Sequence, residues 1–160
     1  MEKHNIDPVF DEHSRILILG SFPSVKSRQQ KFFYGHPQNR FWKVIAAVTG
    51  YPVPESVEEK KRMLLENGIA VWDVIGECDI SGSADSSIRN VVPNDLKLIL
   101  DKADIRKIFC NGTKSYELYE KYIQPKLGIA AVKLPSTSPA NAQYQTDSLT
   151  DIWKQIVDFL

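Results

Sequence analysis

Four consecutive aliphatic side chains, Ile16-Leu17-Ile18-Leu19, run straight into Gly20-Ser21-Phe22-Pro23-Ser24, and no other stretch constrains the fold as strongly. A strand at Arg15–Leu19 that is apolar without alternation must be covered on both faces, as a central strand of a parallel sheet is when helices lie on either side. Three further short apolar runs, Ile69–Ile75, Ile105–Cys110 and Ala130–Leu134, read as companion strands, with longer amphipathic segments between them. The expectation is an α/β fold, a three-layer α/β/α sandwich around a central, mainly parallel four-stranded sheet.

Helical spacing and stop signals predict one helix from near Asn39, carrying Phe41, Val44, Ile45 and Val48 inward and ending at Gly50. A second opens at Ser56 with Glu59 three residues on, buries Met63 and Leu64, and ends at Gly68. Others fit Asn94–Lys102, Lys114–Tyr122 and Ser148–Phe159. Three segments follow neither period: Gly20–Gln38, Gly76–Val92 and Pro135–Gln145. Each comes after a strand, so all three should gather at the carboxyl edge of the sheet, where open α/β folds place their sites. At 160 residues the chain, 1–160, reads as a single domain.

Several function classes are excluded at this level. No apolar run approaches the roughly 20 residues of a membrane span. The polar start Met1-Glu2-Lys3-His4-Asn5 lacks the apolar centre of a signal peptide, which makes the cytoplasm the default location. Cys78 and Cys110 are far apart, and His4, His13 and His36 have no ligand spacing, so neither a disulfide nor a metal site is expected.

Charge points to a polyanion. Acidic and basic residues balance at 20 each, yet Ser21 to Gly50 holds Lys26, Arg28, Lys31, Arg40 and Lys43 and no Asp or Glu. Cations interleaved with Phe32, Phe33, Tyr34, Phe41 and Trp42 suit a phosphate backbone and an unstacked base. Phe41 and Trp42 serve equally well as core anchors of the helix they begin. The Gly20–Ser24 turn brings backbone amides and Phe22 to the cleft, and lacks the spacing of a phosphate-binding glycine loop. Leu134-Pro135-Ser136-Thr137-Ser138-Pro139-Ala140-Asn141-Ala142 is a stiff, hydroxyl-rich turn, fit to grip phosphates or wedge into a minor groove, or simply to connect a strand to a helix.

Taken in order, Gly20-Ser21-Phe22-Pro23-Ser24, His36-Pro37-Gln38-Asn39-Arg40-Phe41-Trp42 and Pro135-Ser136-Thr137-Ser138-Pro139-Ala140-Asn141 resemble the motifs of the uracil-DNA glycosylase superfamily. Within it the chain is most similar to the hypoxanthine-DNA glycosylase branch, the DNA-deoxyinosine glycosylases, over nearly its whole length. In the related mismatch-specific uracil glycosylases the first motif reads Gly-Ile-Asn-Pro-Gly, and its Asn positions the attacking water. Phe22 stands there in this chain, and a phenyl ring can stack on a base but holds no water.

The resemblance therefore gives the catalytic role to Asn39, whose amide can accept from water and donate to sugar or base, and which also suits a helix N-cap. It implies hydrolysis of the N-glycosidic bond of a flipped deoxynucleotide by a monofunctional enzyme without metal or cofactor. The expected base pocket is Gly20, Ser21, Phe22, Pro23, Phe33, Tyr34, Asp73 and Asn111. Asp73 reads either as an acceptor for N1–H of the base or as a structural cap, and Asn111 also fits a plain turn. The expected DNA contacts are Ser24, His36, Arg40, Lys43, Ser86, Arg89, Ser136, Thr137, Ser138, Pro139 and Asn141. The partner is DNA containing deaminated bases, met by a monomer at the nucleoid in the cytoplasm. Two alternatives stay open: the same chemistry directed mainly at uracil, and a nucleic-acid-binding module that has lost its chemistry.

Overall fold

A computed structural model describes residues 1–4 and 6–160. After the short strand β1 (Glu2–Lys3), the aliphatic run becomes β2 (Ile16–Gly20), buried at all five positions. Its two edges pair in parallel with β3 (Ile69–Asp73) and β6 (Lys107–Asn111), and β7 (Ala131–Leu134) adds in parallel outside β6. The four-stranded order β3-β2-β6-β7 is the parallel sheet the apolar runs require.

Helices cover it. α2 (Phe41–Thr49) packs on α7 (Thr146–Trp153), α3 (Val57–Glu66) lies on β3, and α5 (Thr113–Tyr122) lies on β6 and β7. Phe41 and Trp153, both fully buried, meet edge to face with centroids 6.0 Å apart between α2 and α7. Each such aromatic contributes about 1.5–3 kcal/mol by leaving water, so this contact anchors the motif helix to the end of the chain. α2 stops at Gly50, whose φ of +78° suits a residue without Cβ. Ser56 caps α3 by accepting from the Glu59 N–H at 3.1 Å, while the Glu59 carboxylate accepts from the Glu55 N–H rather than from the N–H of Ser56 itself.

Several sequence expectations need correction. The apolar run Ile69–Ile75 is not one strand: β3 ends at Asp73, and β4 (Ile75–Asp79) leaves the sheet to pair antiparallel with β1 and with β5 (Arg89–Pro93). Gly76–Val92, expected to be irregular, thus supplies most of a second sheet. Two register shifts and half-exposed positions erase the alternation that would have announced it. The Gly20–Gln38 segment contains α1 (Val25–Gln30), capped by the Ser24 hydroxyl and ended by Lys31 in the left-handed region. Near the C-terminus, α7 gives way at Trp153 to a 3-10 segment, Lys154–Phe159. Asn94–Lys102 is helical only over α4 (Lys97–Leu100), and the unexpected short helix α6 spans Gln124–Leu127. Among the described residues no helix is long and apolar enough to cross a membrane.

Candidate active site

The ends of β2, β3 and β6 and the turn after β7 surround a cavity of about 290 Å³. Its walls include Gly20, Ser21, Phe22, Pro23 and Ser24 from the first motif, Phe33 and Tyr34 from the loop that follows it, His36 and Asn39 from the second motif, and Ser136, Ser138 and Pro139 from the third, with Asp73 and Asn111 between them. The three segments do meet at the carboxyl edge. The volume lies at the small end for ligand pockets, suited to a single ring system.

The first motif is shaped by Gly20. A Cβ built there would stand 2.5 Å from Asp73 Oδ1 and 3.2 Å from the Tyr34 hydroxyl, so the absent side chain is what lets both polar groups reach the cavity. Phe22 is buried, with its ring edge-on to His4 at 5.4 Å and the Arg28 guanidinium 5.2 Å from its centre. It is a fixed wall.

Asp73, only 3% exposed, has no hydrogen-bond partner on Oδ2, and the Tyr34 hydroxyl has none either. Burial pushes the Asp73 carboxyl up to about 8, well above the usual carboxylate range, so it is mostly protonated at pH 7. The Tyr34 phenol is raised by burial and then by Asp73. Behind Asp73 Oδ2, at 3.9 Å, lies His4 Nε2. The Ile6 N–H donates to His4 Nδ1, so Nε2 carries a hydrogen and gives it to the Ile75 carbonyl at 2.8 Å. Burial lowers the pKa of that imidazole, which leaves Asp73 without a countercharge from it.

Asn39 sits just ahead of α2. Its Oδ1 accepts from the Phe41 N–H and from the Thr137 hydroxyl, each at 2.9 Å. It therefore supports the helix start, though Arg40 is the N-cap residue. Tyr34 reaches its place through a left-handed backbone, φ +51°, and by stacking on Phe41 with centroids 4.1 Å apart. Phe32 turns away and stacks on Trp42, so of the three loop aromatics only Phe33 and Tyr34 line the cavity.

The expected DNA contacts divide. His36 is exposed, and because its Nδ1 accepts from the Gln38 N–H, Nε2 faces outward as a donor. Lys43 is exposed, as are Ser86 and Arg89, although their loop presents Ser83 and Asp85, not these two, to the cavity. Ser138 and Asn141 are half-buried on the turn after β7, where Ser138 Oγ accepts from Ala140 N and Asn141 Nδ2 donates to the Ser136 carbonyl. Two expectations are corrected. Thr137 is fully buried and bonded to Asn39 and Asn111, so it cannot meet DNA. The Arg40 guanidinium gives four of its five N–H donors to the carbonyls of Thr137, Ser138, Asn141 and Tyr144, where its main task is to tie the turn together rather than to grip a phosphate.

Arg28 is likewise occupied, bonding Pro23 O and Gly82 O and pairing with Glu2 at 3.3 Å. Of the five cations in Ser21–Gly50, Lys26, Lys31 and Lys43 remain exposed, and none forms an ion pair among the described residues. Sequence reasoning did not place His4, Ser27, Ser83 or Asp85 at the site, and it counted Arg28 only among the cations offered to a polyanion. Ser27, buried, accepts the Gly35 N–H at 2.9 Å and closes the loop beneath the cavity. His4, Ser83 and Asp85 carry no local pattern because the partners that place them lie 58 to 71 residues away.

Comparison with known proteins gives one answer. A model of the uracil DNA glycosylase superfamily matches residues 8–158. A hypoxanthine DNA glycosylase of Methanosarcina acetivorans is 33% identical over 158 residues, 98% of each chain. One from Methanosarcina barkeri is 34% identical over 144 residues, 88% of this chain and 89% of its own. The solution NMR structure of a Methanosarcina acetivorans protein, assigned provisionally as a uracil DNA glycosylase, superposes with a TM-score of 0.79 at 34% identity, covering 97% of this chain and 96% of that one.

Proposed function

Since the chain belongs to the uracil DNA glycosylase superfamily and is a DNA glycosylase, we propose that it removes hypoxanthine from deoxyinosine in DNA, acting as one domain and as a monomer at the nucleoid in the cytoplasm. The observation that carries this reading is the floor of the cavity. Two buried polar groups without partners, the Asp73 carboxyl and the Tyr34 hydroxyl, wait there for a ligand. Unpaired buried polar groups are costly, and a base edge would satisfy them.

A purine joined through N9 to a backbone outside the cavity would present C6=O and N1–H deepest, because these are farthest from N9. A protonated Asp73 can donate to O6 or accept N1–H, whereas an ionised carboxylate would repel the carbonyl oxygen. Phe22, fixed between His4 and Arg28, supports a stacking role and leaves no group at that position to hold a water. That disfavours the arrangement of the uracil enzymes.

The reaction breaks C1′–N9, the bonding pair leaves with the base, and water oxygen bonds to the oxocarbenium-like C1′, releasing one proton and leaving an abasic site. Asn39, on the cavity wall, is the residue we place nearest this bond. With no lysine among the described residues of the lining, hydrolysis rather than lyase chemistry is the expected outcome.

The test is base release from matched oligonucleotides carrying one deoxyinosine, deoxyuridine or deoxyxanthosine, with abasic sites revealed by alkali. Hypoxanthine should leave well ahead of uracil, and Asn39→Ala should slow release by about 100-fold or more while DNA binding survives. Uracil released first would overturn the assignment of substrate, and full activity in Asn39→Ala would overturn the assignment of the catalytic residue.

A further inference from the structure

We infer that Thr137 and Asn111 are positioning residues that fix the polarity of the Asn39 amide, so that Asn39 acts in the reaction as a hydrogen-bond donor to the departing purine and not as the acceptor that activates water. This deepens the reading of Asn39 as the catalytic residue and rests on it.

Two backbone amides determine the direction of every hydrogen bond in the chain Asn111–Thr137–Asn39. The Thr137 N–H can only donate, so the atom it meets at 3.0 Å on Asn111 is the carbonyl oxygen. The Asn111 NH2 must then be the group facing Thr137 Oγ1, also at 3.0 Å. With its oxygen accepting from that donor, the Thr137 hydroxyl keeps its own hydrogen to give to Asn39 Oδ1 at 2.9 Å. The second backbone amide, Phe41 N–H, independently places Oδ1 on the same side of the Asn39 amide.

A carbonyl oxygen accepts two hydrogen bonds in its plane, and Asn39 Oδ1 has both. Its acceptor capacity is taken by the protein. The NH2 group has no hydrogen-bond partner among the described residues, and it belongs to a residue of the cavity wall. Turning the amide over would set NH2 against the Phe41 N–H, which can only donate, so that backbone amide fixes the orientation and Thr137 supports it.

This polarity matters because electron density flows onto the base as C1′–N9 lengthens, and it collects on purine nitrogens and O6. A fixed N–H aimed at such an acceptor stabilises the transition state more than the ground state. The same N–H directed at a water oxygen would make that water a poorer nucleophile. Thr137 is fully buried, which protects the orienting bond from solvent.

The experiment compares Asn39→Ala, Asn39→Asp, Thr137→Val and Thr137→Ser in single-turnover release of hypoxanthine from a deoxyinosine oligonucleotide, with melting temperatures recorded alongside. Aspartate keeps both acceptor bonds and loses the donor, so Asn39→Asp should fall with Asn39→Ala by about 100-fold or more, the scale of losing one preorganised donor. Thr137→Val keeps the volume and removes the orienting hydroxyl. It should lower the maximal rate by about 10- to 100-fold with little change in the concentration giving half-maximal rate, and Thr137→Ser should restore it. An active Asn39→Asp beside an inactive Asn39→Ala would overturn the donor assignment while leaving Asn39 catalytic. An active Asn39→Ala would overturn the underlying reading of the site. A folded Thr137→Val that matches wild type would remove Thr137 from the argument.

Discussion

Raising the pH should switch this enzyme off through Asp73. The carboxyl is buried and unpartnered at Oδ2, and its neighbours are the Tyr34 phenol at the cavity floor and the His4 imidazole behind it. Neither carries a charge near neutrality, because burial lowers the pKa of His4 and raises that of Tyr34, which keeps imidazole and phenol alike neutral. Desolvation alone then carries Asp73 to about 8. The protonated fraction falls from about nine-tenths at pH 7 to about one-tenth at pH 9, so a reaction that needs the neutral carboxyl slows by about tenfold over that interval. The assay is single-turnover release of hypoxanthine with enzyme in excess, from pH 6 to 10. Asp73→Asn offers a donor and an acceptor at every pH and should flatten the profile. Stability should follow the same group. The folded state holds a proton that the unfolded chain, with its ordinary value of 3.8, releases. Stability is therefore highest below that value, declines as pH rises toward 8, and levels off above it. Asp73→Asn should gain most in melting temperature on the alkaline side. A wild-type rate that stays level to pH 10, or an equal fall in Asp73→Asn, would refute the reasoning.

Other expectations follow from single contacts. Gly20→Ala should cost about 1–3 kcal/mol by thermal melting, since its methyl would stand 2.5 Å from Asp73 Oδ1, and base excision should drop with it; unchanged excision would show that the carboxyl is not needed where it stands. Arg40→Ala should free the turn after β7, seen as faster proteolysis within Pro135–Gln145, and should lower excision by releasing Thr137; a turn that stays protected would contradict its role as a clamp. Lys43→Gln should reduce the slope of log affinity against log salt by about 0.9, one phosphate contact, while the rate at saturation holds; an unchanged slope would take Lys43 off the DNA path.

Much of this was legible in the sequence. Ile16–Leu19 demanded a covered parallel strand because four aliphatic residues in a row leave no face for water, and β2 is buried throughout. Gly50 and Ser56 marked helix ends because stop and cap chemistry is local to a few residues. The convergence of three loops at one sheet edge followed from strand polarity alone, and the motif order carried the family. What failed to show was whatever depends on partners distant in sequence. β4 and β5 were invisible because bulged, half-exposed strands have no clean period, and their pairing, not their composition, makes them strands.

The same division runs through the site. Sequence assigned Arg40 and Thr137 to DNA by residue type, and Asn39 to catalysis without its direction. Arg40 instead holds carbonyls 97 to 104 residues away, and Thr137 lies 98 residues from the amide it orients. His4 stands behind Asp73, and Gly20 makes room for it, though neither the N-terminal segment nor the first motif announces a carboxyl on β3. Residue identity sets what a group can donate, accept or ionise, and the sequence by itself determined that much together with the parallel core. Which of those capacities is already taken, and whether a carboxyl keeps its proton, is decided by neighbours and by the exclusion of water, which exist only once the chain has folded.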